Sequence, residues 1–221
     1  MVGRVAPFDV VINPNVVAMV GHYRTGTHWL CVLMELYFGH PVAPRTYFYS
    51  ERPFLAHCVH DGANLMGPRH QVIYLYRDPV DTVFSQSHIG NITRRIDPTW
   101  LRSRARAYAC HLARWLTPGY VPHLVVIRYE CMRADFHRIC LLFNQEVDDN
   151  RLDQVFAQAT KTVVASGPSA KLAHNWIARR DPEYVQLRVR FRERYASLIW
   201  DAVLDGQGWL QSYFDHLPEE K

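Results

Sequence analysis

Short apolar runs alternate with longer amphipathic segments along the chain. Val16 to Val20 (VVAMV), Gln71 to Tyr76 (QVIYLY) and Leu124 to Arg128 (LVVIR) are rich in β-branched and aromatic residues, which is typical of buried strands. A further strand is predicted at Pro53 to His60 (PFLAHCVH). Strands that alternate with helices predict an α/β fold with a central, mostly parallel sheet flanked by helices.

Helical patterns follow most of these strands. The first helix is predicted from Thr27 to about Tyr37, and Pro79 begins a second helix because proline favours the first helical turn. Further helices are predicted after Asp97, at about 135–143 and 149–160, and from Asp181 toward Gly206. The length of 221 residues predicts one domain over residues 1–221.

The composition is that of a globular protein with an apolar core. Hydrophobic residues make up 48%, and the formal net charge of +4 suits an anionic ligand without demanding nucleic acid. The densest basic run extends from Arg188 to Arg194 and is interpreted as a solvated helix surface. Binding to nucleic acid is therefore not expected.

The cysteines and the apolar segments indicate where in the cell the protein is expected. The five cysteines are odd in number and form no C-x-x-C pair, which disfavours a disulfide framework or a zinc site. The most apolar segment, Trp29 to Gly39, is interrupted by Glu35 and is shorter than the roughly 20 residues that span a bilayer. We therefore expect a cytoplasmic protein that does not bind membranes.

The segment Gly21 to His28 (GHYRTGTH) lies between a predicted strand and a predicted helix. Its two glycines have the G-x-x-x-x-G spacing of a phosphate-binding loop, and a helix N-terminus attracts anions. Arg24 and Thr25 add a charged donor and a hydroxyl. The alternative is that the two glycines only make a turn from strand to helix.

Thr27 and His28 stand where the loops of kinases and NTPases have lysine and then serine or threonine. The lysine that reaches the terminal phosphates is missing, as is the usual magnesium-binding hydroxyl. The loop therefore predicts a nucleotide bound without a metal ion, and it counts against a P-loop nucleotide kinase.

Arg77 follows the strand Gln71 to Tyr76, at the end of a strand where open α/β sheets bind ligands. Its planar fork can hold two phosphate oxygens, and Ser85 adds a donor about two helical turns further on. The alternative for Arg77 is an ion pair with a nearby aspartate. We expect Asp78 and Asp81 to brace the first helical turn rather than to bind an anion.

Three segments together resemble the sulfotransferases that use 3′-phosphoadenosine 5′-phosphosulfate (PAPS). The segment YRTGTHWL, residues 23–30, resembles that family's 5′-phosphosulfate loop, YPKSGTTWL. The segment IYLYRDPVDTVFS, residues 73–85, is similar to its 3′-phosphate motif, R-[DN]-P-x-D-x-x-x-S. The segment IRYECM, residues 127–132, resembles L-R-Y-E-D-[ML], with Cys131 in place of the acid. The chain looks like a divergent and short member of the cytosolic type.

The resemblance implies a donor site for PAPS and its product, 3′,5′-diphosphoadenosine (PAP), with no metal. Its implied residues are Arg24, Thr25, Gly26, Thr27 and His28 at the 5′ end, Arg77 and Ser85 at the 3′-phosphate, and Trp29 and Thr160 near the adenine. Trp29 is interpreted equally well as a core residue. The late basic loop of the family is poorly matched by Ser166 to Lys171.

The resemblance also implies a histidine base and a cation at the transferred group. PFLAHCVH corresponds to the family's K-T-H-L-P, which makes His57 the first candidate base and His60 the second. The two positions have opposite parity, so an extended segment would point them to opposite sides. Leu55 stands where the family has a lysine, and Arg24 replaces the lysine of the loop.

The function that follows is in-line transfer of a sulfuryl group from PAPS to a hydroxyl or amine of a small-molecule or glycan acceptor. A catalytically impaired, sulfotransferase-like nucleotide-binding protein is the first alternative, and a P-loop kinase is the second. The sequence leaves open which acceptor is used and whether the protein forms a homodimer.

Overall fold

The computed structural model describes residues 17–43, 54–59, 71–88, 96–159 and 182–215, with the side chains of residues 57 and 59 excepted. Five parallel strands form the sheet within these ranges. They are β1 (Val17–Gly21), β2 (Val42–Ala43), β3 (Ala56–Val59), β4 (Gln71–Tyr76) and β5 (His123–Arg128), in the order β2-β3-β1-β4-β5. The predicted α/β class with a mostly parallel sheet is confirmed.

Six α-helices accompany the strands in the described ranges. They are α1 (Thr27–Phe38), α2 (Pro79–Ser87), α3 (Pro98–Leu116), α4 (Met132–Leu142), α5 (Asp149–Gln158) and α6 (Pro182–Leu204). Short 3₁₀ helices cover Tyr129–Cys131 and Gly208–Tyr213.

The helix boundaries follow local capping chemistry. The Asp97 carboxylate accepts a hydrogen bond from the Trp100 backbone N–H (2.9 Å), and Pro98 follows in the first turn of α3. Asp148 caps α5 in the same way through the Arg151 N–H (3.0 Å). Among the described helices, none combines the length and apolar character needed to cross a bilayer.

Alternation along β1 divides the core into two layers. Val17 and Met19 lie in one apolar cluster, which α1, α4 and α5 complete, while Ala18 and Val20 lie in the other, with α2, α3 and α6. Because the sheet is covered on both faces, β1 is apolar at every position rather than at alternate ones. The five cysteines all lie in the described ranges and form no disulfide with one another, and Cys31 and Cys140 are buried.

The strand order places a switch point at β1. The connection after β1 leads to β2 on one side, whereas β4 pairs with the other edge of β1. In open α/β sheets ligands bind at such a point, beyond the carboxyl ends of the strands. Gly21 pairs with Leu75, so the segments that follow β1 and β4 leave the sheet side by side.

The core on the α4 face predicts a measurable contrast within one helix. Phe136 is fully buried, whereas Leu141 is 65% exposed. Phe136→Ala should lower the free energy of unfolding by about 3–5 kcal/mol because it leaves a cavity. Leu141→Ala should change the free energy of unfolding by less than about 0.5 kcal/mol. Denaturant unfolding of both variants measures this difference, and equal losses would contradict the described packing.

Candidate functional site

The loop between β1 and α1 is held in a tight turn by glycine. Gly26 has φ +101° at the N-terminus of α1, and a Cβ there would overlap the Tyr129 ring. A Cβ on Gly21 would overlap the Thr27 side chain. Arg24 also lies in the left-handed region, with φ +76°. A non-glycine residue in this region costs about 1–3 kcal/mol, and such strain is concentrated at functional sites.

The loop is braced from inside by Thr25. Its hydroxyl donates a hydrogen bond to the His22 carbonyl oxygen (2.8 Å), and its backbone N–H donates to the same oxygen (3.2 Å). Gly26 has no side chain with which to cap α1, and the first turn of this helix contains no acidic residue. The partial positive charge of the helix N-terminus is therefore available to an anion.

Arg77 leaves the end of β4 with its backbone fixed. The Tyr108 hydroxyl donates to the Arg77 carbonyl oxygen (2.7 Å) and accepts from the Arg77 N–H (2.9 Å). The Arg77 side chain is only 12% exposed, and its Nη2 lies 3.7 Å from Asp81 Oδ2. Its buried Nε has no hydrogen-bond partner within the described part of the chain. A buried guanidinium N–H without a partner is unusual, and a phosphate oxygen would satisfy it.

Tyr129 links the glycine loop to Arg77. The Arg77 guanidinium lies over the Tyr129 ring, 4.4 Å from its centroid. The same ring fills the space that a Cβ at Gly26 would occupy. The ring therefore sets the distance between the loop and the guanidinium, and a cation–π contact stabilises the arginine side chain.

Arg24 and Ser85 join the two predicted phosphate motifs directly. Arg24 Nε donates a hydrogen bond to Ser85 Oγ (3.0 Å), although the two residues are 61 positions apart. Gln86 supports this contact because its Nε2 donates to the Tyr23 carbonyl oxygen (3.1 Å). Burial lowers the pKa of Arg24 from its ordinary value, but an arginine remains charged at neutral pH.

Asp78 and Asp81 brace α2, as predicted. The Asp81 N–H donates to Asp78 Oδ1 (3.0 Å), which caps the helix. The alternative interpretation of Arg77, an ion pair with a nearby aspartate, is met by a long contact of 3.7 Å between Arg77 Nη2 and Asp81 Oδ2. The arginines of the basic run are exposed, in agreement with the predicted solvated helix surface, but Arg188 and Arg192 also have partners on the neighbouring helix. These two arginines bind the aspartates of α2.

Of the two candidate bases, only the backbone of His57 lies in the described region. His57 belongs to β3, where it pairs with Ala18 on one side and Ala43 on the other, and nothing is described of its side chain. β3 ends at Val59, which pairs with Val20. His60 and Thr160 lie outside the described residues, as does the segment Ser166 to Lys171.

The remaining predicted residues lie on α1. Thr27 is buried, whereas His28 is only partly buried. Trp29 is partly buried and packs against the core cluster on the α1 face, which agrees with its interpretation as a core residue. The base-binding role of Trp29 stays a prediction.

Sequence reasoning missed Tyr108 and the partners of Arg188 and Arg192. Nothing in the local pattern around Tyr108 indicates that its hydroxyl clamps Arg77. The spacing of Arg188 and Arg192, four residues apart on one helix face, was the available signal for a shared role. Tyr129 lies within the IRYECM segment, but its packing on Gly26 is visible only in the fold.

The chain is similar to known proteins in sequence and in fold. A family model described as a sulfotransferase domain matches residues 48–219, a range that includes Arg77 and Ser85 but begins after the glycine loop. The fold is similar to that of the mouse sulfotransferase SULT7A1 complexed with PAP. The TM-score is 0.59 at 15% sequence identity, over 91% of this chain and 89% of that chain.

A second similar structure is retinol dehydratase in complex with androsterone and the inactive cofactor PAP. Here the TM-score is 0.60 at 11% identity, over 88% of this chain and 82% of that chain. At these identities the two structures establish the likeness of the fold alone.

The contact between Gly26 and Tyr129 predicts a difference between two glycines with positive φ. Gly119 has φ +80° and open space around it, whereas Gly26 lies against the ring. Gly119→Ala should cost about 1–2 kcal/mol of stability through its backbone alone. Gly26→Ala should cost roughly 1–3 kcal/mol more because the ring must move. Thermal unfolding measures the two losses, and similar values would show that Tyr129 does not pack on the loop.

Proposed function

Because the chain belongs to the sulfotransferase domain family, we propose that it transfers a sulfuryl group from PAPS to a hydroxyl or amine of an acceptor molecule. The observation that carries this proposal is the contact between Arg24 and Ser85. It joins the glycine loop to the Arg77 motif at the carboxyl ends of β1 and β4. A nucleotide with phosphate at both its 3′ and 5′ positions needs two such anion sites, a short distance apart.

The donor nucleotide is assigned to the two motifs as follows. The 5′-phosphosulfate binds the loop from Arg24 to His28 and the N-terminus of α1, where backbone N–H groups and the helix dipole favour negative charge. The 3′-phosphate binds Arg77 and Ser85. The Nε of Arg77, which has no hydrogen-bond partner among the described residues, supports this assignment because it offers a buried donor beside the loop.

The transfer step needs no metal in this proposal. The acceptor oxygen or nitrogen attacks sulfur and forms a new bond. The bond between sulfur and the bridging oxygen of the 5′-phosphate breaks, and PAP leaves with the electron pair. Arg24 provides positive charge beside the leaving oxygen, where stabilisation of developing charge contributes most to the rate.

A histidine takes the proton of the acceptor. His57 pairs with Ala18, three residues before Gly21, which corresponds to roughly 10 Å along a strand. His60 follows the end of β3 in the sequence. The base must reach an acceptor beside the loop that follows β1. Because His57 pairs with a residue three positions before the end of β1, we favour His60 over His57 as the base.

We propose a small-molecule acceptor first and a glycan second. The similar structure of retinol dehydratase in complex with androsterone supports this order.

Titration with nucleotides tests the donor site. PAP at 100 times its dissociation constant should stabilise the protein by about 2.7 kcal/mol, which raises the melting temperature. ATP with magnesium should have no comparable effect. Arg77→Ala should abolish the response to PAP, whereas Arg190→Ala, on the exposed face of α6, should retain it.

The other outcomes of this titration are equally informative. A response to magnesium-ATP without a response to PAP would exclude the sulfotransferase proposal and favour a kinase. Binding of PAP with no transfer to any acceptor would indicate the catalytically impaired alternative. Activity that survives a chelator is expected because guanidinium groups supply the positive charge.

Two histidine variants test the base. With an acceptor in hand, His60→Ala should lower kcat by about 100-fold or more, as is typical for loss of a general base. PAP affinity should change little. His57→Ala serves as the matched control and should retain most activity. The reverse pattern would identify His57 as the base and contradict the argument from strand register.

A further inference from the structure

Two carboxylates compete with any ligand for Arg77. Asp78 is the next residue, and Asp81 lies one helical turn away, with its Oδ2 3.7 Å from Arg77 Nη2. The Asp81 side chain is 3% exposed and that of Asp78 is 10% exposed. A buried carboxylate needs a cationic partner, and the closest arginine would ordinarily serve.

Two arginines of α6 occupy these carboxylates instead. Arg188 binds Asp81 through two atoms, with Nε donating to Oδ1 (2.8 Å) and Nη2 donating to Oδ2. Arg192 binds Asp78 with its fork, at 3.0 Å from Nη1 to Oδ1 and 2.9 Å from Nη2 to Oδ2. Its Nη1 also lies 3.5 Å from Asp81 Oδ1. Hydrogen bonds to the aspartates raise the pKa of both arginines.

The charge balance around Arg77 depends on these contacts. Three guanidinium groups face two carboxylates, which leaves one positive charge at the place where a phosphate is proposed to bind. The neighbouring Glu130 is neutralised separately by Arg128, whose Nε donates to Glu130 Oε2 (3.1 Å). Without the α6 arginines, the single guanidinium of Arg77 would face two carboxylates.

We propose that Arg188 and Arg192 are positioning residues that keep the Arg77 guanidinium available for the 3′-phosphate of the nucleotide. This inference rests on the proposed function. The α6 arginines do not touch the nucleotide. They hold Asp78 and Asp81, and thereby prevent Asp81 from closing its 3.7 Å approach to Arg77 into a tight ion pair.

Attachment of α6 does not by itself explain why two half-exposed arginines bind two buried carboxylates. Phe191, between the two arginines in sequence, is buried in the apolar layer and packs against Phe84 of α2, with 5.2 Å between ring centroids. This contact docks the helix through apolar burial, which usually stabilises more than an ion pair of the same size. The arginines therefore have a role that apolar side chains would not fill.

The test compares two ligands that differ only at the 3′ position. Calorimetry gives the dissociation constants of PAP and of adenosine 5′-monophosphate, which lacks the 3′-phosphate. The ratio of the two constants measures the contribution of the 3′-phosphate. The variants are Arg188→Gln, Asp81→Asn and the double variant, with Arg190→Gln as a control that removes the same charge from an exposed position of the same helix.

In Arg188→Gln, the ratio should fall by about tenfold, the size expected for loss of one charge-assisted hydrogen bond to phosphate. Binding of the monophosphate should be nearly unchanged. The double variant should recover most of the ratio, because the carboxylate that captures Arg77 is then gone. Arg190→Gln should behave like the unmodified protein.

The inference would be overturned if Arg188→Gln weakened binding of both ligands equally, or if adding Asp81→Asn did not restore the ratio. The arginines would then have only a docking role.

If Arg188→Gln does not fold, the single Asp81→Asn variant decides. Its ratio of dissociation constants should stay within about threefold of that of the unmodified protein, and a larger fall in this ratio would overturn the inference. Failure of the unmodified protein to prefer PAP would instead refute the proposed donor site, and the inference with it.

Discussion

The parallel pairing of β1 with β4 is the constraint on which the rest of the site depends. It places Gly21 opposite Leu75, so that the chain leaves both strands at the same edge of the sheet. The glycine loop and Arg77 then lie side by side although more than fifty residues separate them. The contact of Arg24 with Ser85 and the packing of Tyr129 between Gly26 and Arg77 both follow from this pairing.

The electrostatic environment at this edge of the sheet depends on which arginine binds which carboxylate, rather than on the net charge of the protein. The chain carries a formal charge of only +4, yet several of its arginines converge on one end of the sheet. Each aspartate beside Arg77 has an arginine partner from α6, and Glu130 has Arg128. The Tyr108 hydroxyl fixes the Arg77 backbone through two hydrogen bonds. A guanidinium held in this way needs little reorganisation to bind an anion, which lowers the cost of binding.

The strands and helices were predictable where the local pattern was strong. Gln71 to Tyr76 was predicted with the boundaries that the structure shows, because an apolar, β-branched and aromatic run ends at Arg77-Asp78-Pro79. The two-residue strand Val42–Ala43 was missed, since two residues show no periodicity. Pro79 and Pro98 marked helix starts correctly because proline suits the first helical turn.

The candidate site was predictable only in part. Motif spacing identified Arg24, Arg77 and Ser85, and the structure brings Arg24 and Ser85 together. The roles of Tyr108, Arg188 and Arg192 depend on contacts between residues far apart in sequence. Arg188 and Asp81 are 107 positions apart, and Arg192 and Asp78 are 114 apart. Local patterns indicate which face of a helix is polar, but they do not identify the partner on another helix.

The most direct test of this account is a crystal structure of the protein with 3′,5′-diphosphoadenosine. In that structure the 3′-phosphate should lie within hydrogen-bond distance of Arg77 and Ser85, and the 5′-phosphate should lie against the loop from Arg24 to His28. Asp81 should still be bound to Arg188. A nucleotide bound away from the carboxyl ends of β1 and β4, or an Arg77 side chain paired with Asp81 while the 3′-phosphate lies elsewhere, would contradict it.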